Sequence, residues 1–162
     1  MIQEVSGDIL LSKAEVLAHG VAPGDHFDQG LALAIRERWP AMVKDFRHYC
    51  HQSSPKPGEV WSWAGPQVHI VNLFTQDPAP SPGALAGKAQ LKYVRSCLEK
   101  LAHLAEAEKF RSLALPKLAT GVGKLEWSEV KALISEKLGS LPLPIFVYAK
   151  YVPGEKAEEK GI

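Results

Sequence analysis

Short apolar runs alternate along the chain with longer amphipathic stretches. Ile2–Val5, Val16–Gly20, Glu59–Trp63, Val68–Thr75, Ser112–Pro116 and Ile145–Lys150 have the length and content of strands. Between them, Gly30–Trp39, Ala41–Gln52, Lys88–Lys109 and Ser128–Leu138 read as helices. The longest carries Leu91, Val94, Leu98, Leu101 and Leu104 near helical spacing. The last places Val130, Leu133, Ile134 and Leu138 on one face, with Ser128 as its expected N-cap. The run His69-Ile70-Val71-Asn72-Leu73-Phe74 barely alternates, as expected of a strand covered on both faces. Strands alternating with helices predict an α/β fold, a mostly parallel sheet between helical layers. In such folds ligands bind outside the carboxyl ends of the strands, so the chemistry is sought there.

Length and charge narrow the function classes. The 162 residues suit one domain, expected over residues 1–152, with the polar stretch 153–162 as a flexible tail. Nineteen Lys and Arg against eighteen Asp and Glu leave a net charge of +1. That balance supplies no broad field for nucleic acid or an anionic membrane, although backbone amides can still hold a small anion. The two cysteines, Cys50 and Cys97, form no paired motif, and the first residues lack a basic segment followed by an apolar one. No run is long and apolar enough for a membrane span, so a cytoplasmic location is expected. Two Pro-rich stretches, 53–58 and 78–83, read as stiff loops.

Three segments carry candidate chemistry. In Leu115-Pro116-Lys117-Leu118-Ala119-Thr120-Gly121-Val122-Gly123-Lys124-Leu125-Glu126-Trp127 a strand runs through a glycine loop into a helix. Gly121 and Gly123 let backbone amides approach a phosphate, or simply make an ordinary strand-to-helix turn. The segment is not a P-loop, because Leu118 stands at the first Gly position and Leu125 at the Ser/Thr position. In Phe27-Asp28-Gln29-Gly30-Leu31 a polar loop enters a helix, offering either an amide-lined anion site or a plain helix start capped by Asp28. In Ser6-Gly7-Asp8-Ile9, Asp8 either accepts from a ligand amine or stabilises its own turn. His48, Cys50 and His51 do not share one helix face with further ligands, so no metal is expected. No motif calls for a cofactor. Trp61 and Trp63 fall on one face of a strand.

Taken together, Val5-Ser6-Gly7-Asp8-Ile9-Leu10, Leu17-Ala18-His19 ahead of Gly30-Leu31-Ala32, and the loop ending Thr-Gly-Val-Gly-x-Leu-x-Trp resemble the macrodomain family. The resemblance runs from about Ile2 to Tyr148. It points to the branch holding the terminal ADP-ribose protein glycohydrolase and the antitoxin macrodomains that strip ADP-ribose from DNA. It implies a three-layer sandwich with a mixed, mostly parallel sheet, and a site for ADP-ribose or an ADP-ribosylated macromolecule. Nucleic acid would then enter only as a modified substrate. By position, the resemblance implies Asp8 and Ile9 at the adenine amine, and Tyr148 packed against the base. It implies Phe27, Asp28, Gln29, Gly30 and Leu31 at the pyrophosphate and distal ribose. Thr120, Gly121, Val122 and Gly123 would wrap the diphosphate, with Thr75 and Gln76 ending a strand beside it.

The chain also departs from that pattern. The protein glycohydrolases it resembles use a lysine nucleophile directly after the strand threonine, and Gln76 stands there. An amide cannot form the adduct a lysine amine forms. Their catalytic Asp in the diphosphate loop is replaced by Gly123, and Asp28-Gln29-Gly30 replaces the usual Gly-Ala-Gly. Two readings follow: a hydrolase of ADP-ribosylated substrates or of an ADP-ribose derivative, with water activated by Asp28, or a non-catalytic reader of ADP-ribose.

Overall fold

The computed structural model describes all 162 residues. Its strands are β1 (Ile2–Gly7), β2 (Val16–Val21), β3 (Val60–Ala64), β4 (His69–Phe74), β5 (Leu113–Pro116) and β6 (Ile145–Tyr151). Its helices are α1 (Gly30–Arg38), α2 (Pro40–Ser53), α3 (Leu91–Ala107) and α4 (Trp127–Leu138). A single 3-10 turn, Ile9–Leu11, follows β1. Sequence patterning alone does not mark it.

The six strands form one sheet in the order β1-β6-β5-β2-β4-β3. All neighbours are parallel except β3, which runs antiparallel to β4 at the edge. The period of two sorts residues between two cores. Val16, Ala18, Val71, Leu73, Leu113, Leu115, Ile145 and Val147 pack with α3 and α4. Leu17, Val21, Ile70, Phe74, Ala114, Phe146 and Tyr148 pack with Ile35 of α1 and with Met42, Val43 and Phe46 of α2. Both faces are thus covered, which is why the central strands look almost continuously apolar.

Local details differ from expectation at two helix starts. Ser128 lies inside α4, whose N-cap is Glu126 without a side-chain cap bond, because the chain turns helical at Trp127. The N-cap of α1 is Gln29, not Asp28. On the second face, Trp61 stacks on Tyr49 with centroids 5.1 Å apart, and Trp63 donates to Asp45 at 2.8 Å. The two tryptophans are therefore tied to α2 rather than displayed as a stacking platform. No helix is long and apolar enough to cross a membrane.

Between β4 and β5 the chain crosses over β2, so strand order reverses around β2. Its carboxyl end, together with those of β4 and β5, opens onto a crevice, the place where α/β sheets bind ligands.

Candidate functional site

A cavity of about 440 Å³ fills that crevice. It is the size of a small-molecule pocket. Its floor is His19, Gly20 and Ala22 from the end of β2, and its walls are drawn from the 23–32, 76–86 and 116–123 segments. Of the residues singled out in the sequence, Asp28, Gln29, Gly30, Leu31, Gln76, Gly121, Val122 and Gly123 line it.

The rest lie elsewhere. Phe27 is fully buried, its ring edge-on to Phe46 at 4.9 Å and to His19 at 5.7 Å. Its φ of 55° is costly for a bulky residue. The buried ring anchors the loop whose next two residues line the cavity, so Phe27 shapes the wall from behind. Thr75 is buried beneath the floor, its Oγ1 without a partner, where a Cβ on Gly20 would come within 2.6 Å of it. Thr120 donates its hydroxyl to the Lys117 carbonyl at 3.1 Å and does not line the cavity. Asp8, Ile9 and Tyr148 also lie outside it. Asp8 Oδ1 accepts from Leu10 N at 2.9 Å as the cap of the 3-10 turn, which is the turn-stabilising role. The hydroxyl of Tyr148 donates to Glu159 at 2.8 Å.

What the two loops offer is unpartnered N–H groups. The amides of Thr120, Gly121, Val122 and Gly123 donate to no protein acceptor, and neither do those of Asp28, Gln29, Gly30, Leu31 and Ala32. The last three form the first turn of α1, whose dipole adds partial positive charge. The glycine loop holds its shape through Leu125 N to Ala119 O at 3.0 Å, Lys124 N to Gly121 O at 3.1 Å, and left-handed φ at Ala119 and Lys124. Asp28–Ala32 and Gly121–Gly123 thus bring two runs of free donors to the walls of one cavity, an arrangement suited to an extended anion.

The walls are also joined to each other. Ala89 N donates to Gly123 O at 3.1 Å, and Gln76 Nε2 to Gly87 O at 3.0 Å. Gln76, where the protein glycohydrolases that the sequence resembles carry a lysine nucleophile, is thus a brace for the 76–89 segment.

Three side chains bring titratable chemistry. Asp25 is engaged, Oδ2 accepting from Ala22 N at 3.1 Å and Oδ1 from Phe27 N at 2.9 Å. Asp28 lines the cavity, is exposed and has no hydrogen-bond or salt-bridge partner, which makes it the one uncommitted carboxylate there. His19 lies at the cavity floor, a position that residue patterning alone does not single out. Its Nε2 lies 2.7 Å from Asn72 Oδ1, while Asn72 Nδ2 donates to the Trp61 carbonyl at 3.4 Å. That orientation places the proton on Nε2 and leaves Nδ1 a lone pair with no protein partner. Burial pushes the imidazole down to about 4, against the smaller upward pull of Asn72 and Asp25.

This shift has a consequence for stability. The unfolded chain binds the His19 proton near 6.5 and the folded chain only near 4, so the folded state loses ground wherever the proton is bound in one and not the other. The stabilisation is fully present above pH 6.5 and is lost as pH falls toward 4, by roughly 3 kcal/mol in all. Urea titrations across that window should show the loss in wild type and a shallower slope in His19→Gln. Identical slopes would clear His19 as a source.

The comparisons with known proteins agree with this architecture. A family model described as "Macro domain" matches residues 18–134. A Mycobacterium tuberculosis protein named "DNA ADP-ribosyl glycohydrolase" is 27% identical over 147 residues, covering 88% of this chain and 40% of its own length. The chain therefore spans about two fifths of that relative. A Lodderomyces elongisporus protein named "ADP-ribose 1''-phosphate phosphatase" is 24% identical over 162 residues, covering 90% of this chain and 98% of its own. The structure described as "Thermosipho africanus DarTG in complex with ADP-ribose" superposes with a TM-score of 0.80 at 23% identity, covering 96% of this chain and 42% of that one.

Proposed function

This chain belongs to the Macro domain family, and on that premise we propose that its cavity binds the diphosphate and terminal ribose of ADP-ribose and hydrolyses the bond between that ribose and an attached group. The observation that carries the proposal is the pair of unpartnered amide clusters, Asp28–Ala32 and Gly121–Gly123, on the walls of one cavity. Neutral donors suit a diphosphate because they stabilise its charge without a competing counterion. The names of the relatives, an ADP-ribosyl glycohydrolase and an ADP-ribose 1''-phosphate phosphatase, support hydrolysis at the ribose position away from adenosine.

In the reaction, water attacks the anomeric carbon of the terminal ribose. A proton of that water passes to the Asp28 carboxylate. The bond from the anomeric carbon to the attached group breaks and its electron pair leaves with that group, which takes a proton from solvent while Asp28 gives its own back to solvent. Asp28 serves as the base because Asp25 is held by two backbone amides. His19 Nδ1 accepts a hydrogen bond from a ribose hydroxyl or from the water, and stays neutral across the physiological range. A held diphosphate fixes the terminal ribose against the water, which replaces a bimolecular encounter by an oriented one.

A second reading, a reader of ADP-ribose without turnover, is favoured by Gln76, which braces a loop where a lysine nucleophile would stand. Calorimetry with ADP-ribose, followed by incubation with ADP-ribosylated DNA and ADP-ribosylated protein, separates the two. Binding with release of ADP-ribose from either substrate supports hydrolysis. Binding without release leaves the reader, and no binding overturns both.

A further inference from the structure

We propose that Asn72 is a positioning residue: it holds His19 in the tautomer whose Nδ1 accepts, so that the cavity floor receives a hydrogen-bond donor, a hydroxyl of the terminal ribose. The inference rests on the nucleotide reading above. Trp61, Asn72 and His19 are register partners across β3, β4 and β2, one row on one face of the sheet. Asn72 is fully buried and does not itself line the cavity. It stands between Ile70-Val71 and Leu73-Phe74, all apolar and buried, where an amide is costly unless its groups are bonded.

The neighbours of the amide decide which way round it lies. The Trp61 carbonyl can only accept, and it stands 3.4 Å from Asn72 Nδ2. The Met42 thioether of α2, a weak acceptor, stands 3.6 Å from the same nitrogen. The amino group is thereby turned to β3 and α2, and Oδ1 to His19 Nε2 at 2.7 Å. An oxygen at that distance requires the proton on Nε2, because two facing lone pairs would repel. The neutral ring then carries no proton on Nδ1.

Nδ1 is the end of the ring that a ligand meets. Among buried side-chain nitrogens and oxygens, Thr75 Oγ1 alone is sealed off without a partner, so the unpartnered Nδ1 is reached from the cavity. Phe27, edge-on to the imidazole at 5.7 Å, restrains the ring on its other side. The charge that acts on the ring is Asp25, whose oxygens are held by Ala22 N and Phe27 N. Burial outweighs the pull of Asn72 and Asp25 and keeps the imidazole neutral. A floor that accepts suits a hydroxyl, while the donor walls suit the phosphates.

The test compares ADP-ribose with ADP, which keeps the diphosphate and lacks the terminal ribose. Asn72→Leu nearly preserves volume but offers Nε2 no acceptor. It should weaken ADP-ribose about tenfold, the loss of one hydrogen bond, and ADP by less than about twofold. Asn72→Asp keeps the acceptor and adds a charge that favours the imidazolium, which has no lone pair on Nδ1. Its affinity for ADP-ribose should therefore fall at acid pH and recover toward wild type in alkali, whereas Asn72→Leu stays weak throughout. Proton–nitrogen correlation spectra of the imidazole in wild type require no variant to fold. They should place the proton on Nε2 and show Nδ1 shifting with ADP-ribose but not with ADP. A proton on Nδ1, an Nδ1 resonance unmoved by bound ADP-ribose, or equal losses for the two nucleotides in Asn72→Leu overturns the proposal and leaves the nucleotide pocket standing. Failure of both nucleotides to bind wild type overturns the pocket reading and the role of Asn72 with it.

Discussion

Replacing Gly121 with Glu is expected to weaken ADP-ribose binding by roughly a thousandfold while leaving the fold intact. A Cβ on Gly121 meets nothing within 4 Å, and the residue does not occupy the left-handed region, so the side chain is accommodated without strain. The position lines the cavity between two unpartnered amides, so the new carboxylate stands where the diphosphate would lie. Two unit charges about 4 Å apart repel by about 4 kcal/mol at the effective dielectric of a protein surface, and filled space adds to that. Calorimetry gives the affinity and thermal unfolding the integrity of the fold. Binding at wild-type strength would remove Thr120–Gly123 as the phosphate cradle. The neighbouring Gly123→Ala is no substitute for this experiment. Its Cβ would fall 2.6 Å from Ala119 O and 2.8 Å from Ala89 Cβ, deforming the loop before any ligand arrived.

The second large effect is expected from Asp28→Asn, which should lower turnover by roughly 10²–10⁴-fold, the usual worth of a general base. Asparagine keeps the size and much of the hydrogen bonding but cannot take a proton from water. Affinity for ADP-ribose should hold or tighten, because a carboxylate near a diphosphate has gone. The reading is sharp because no other free carboxylate lines the cavity. Asp25 is spent on two backbone amides, and Asp77 accepts from Tyr93 at 2.9 Å and from Gln90 at 2.9 Å. Full turnover in Asp28→Asn, measured as release of ADP-ribose from the modified substrate, would transfer the base role to His19 or His26.

Much of the layered architecture was legible because the same alternation that buries residues on two faces also identifies the strands. Each of the six predicted strands forms within a residue or two of its expected place. The helix starts were less legible. Ser128 and Asp28 have the right chemistry for caps, yet the chain turns at Glu126 and Gln29 with no side-chain bond at all. Cap preference is a local tendency, and the loops carrying these residues are bent by tertiary anchors such as the buried Phe27 ring.

For the site, the glycine loop and the loop into α1 could be read from glycine placement and from the family resemblance. His19 could have been weighed from its place at the end of an apolar strand, where a polar side chain must find either a partner or a cavity. The wall from Ala79 to Ala86 had no such signal, since its small residues matter only through the topology that swings them over β2. Residues 153–162 read as polar and detached, yet they make hydrogen bonds to β1 and to Asp8. Their composition conceals this because the contacts run mainly through backbone and one carboxylate. The dipeptide Pro153-Gly154, a turn signal, was the visible hint that the chain doubles back.

The bond from Ala89 N to Gly123 O ties the two cavity walls to each other at one point. The 76–89 segment contributes the Gln76 brace and the Ala79–Ala86 rim, whereas the facing wall contributes the free amides. A ligand that orders the glycine loop is therefore expected to order the adjoining rim as well, so that much of the conformational entropy is lost once for both. Whatever group is attached to the ribose then meets a rim already stilled by the diphosphate. Discrimination among attached groups becomes a matter of shape rather than of loop ordering.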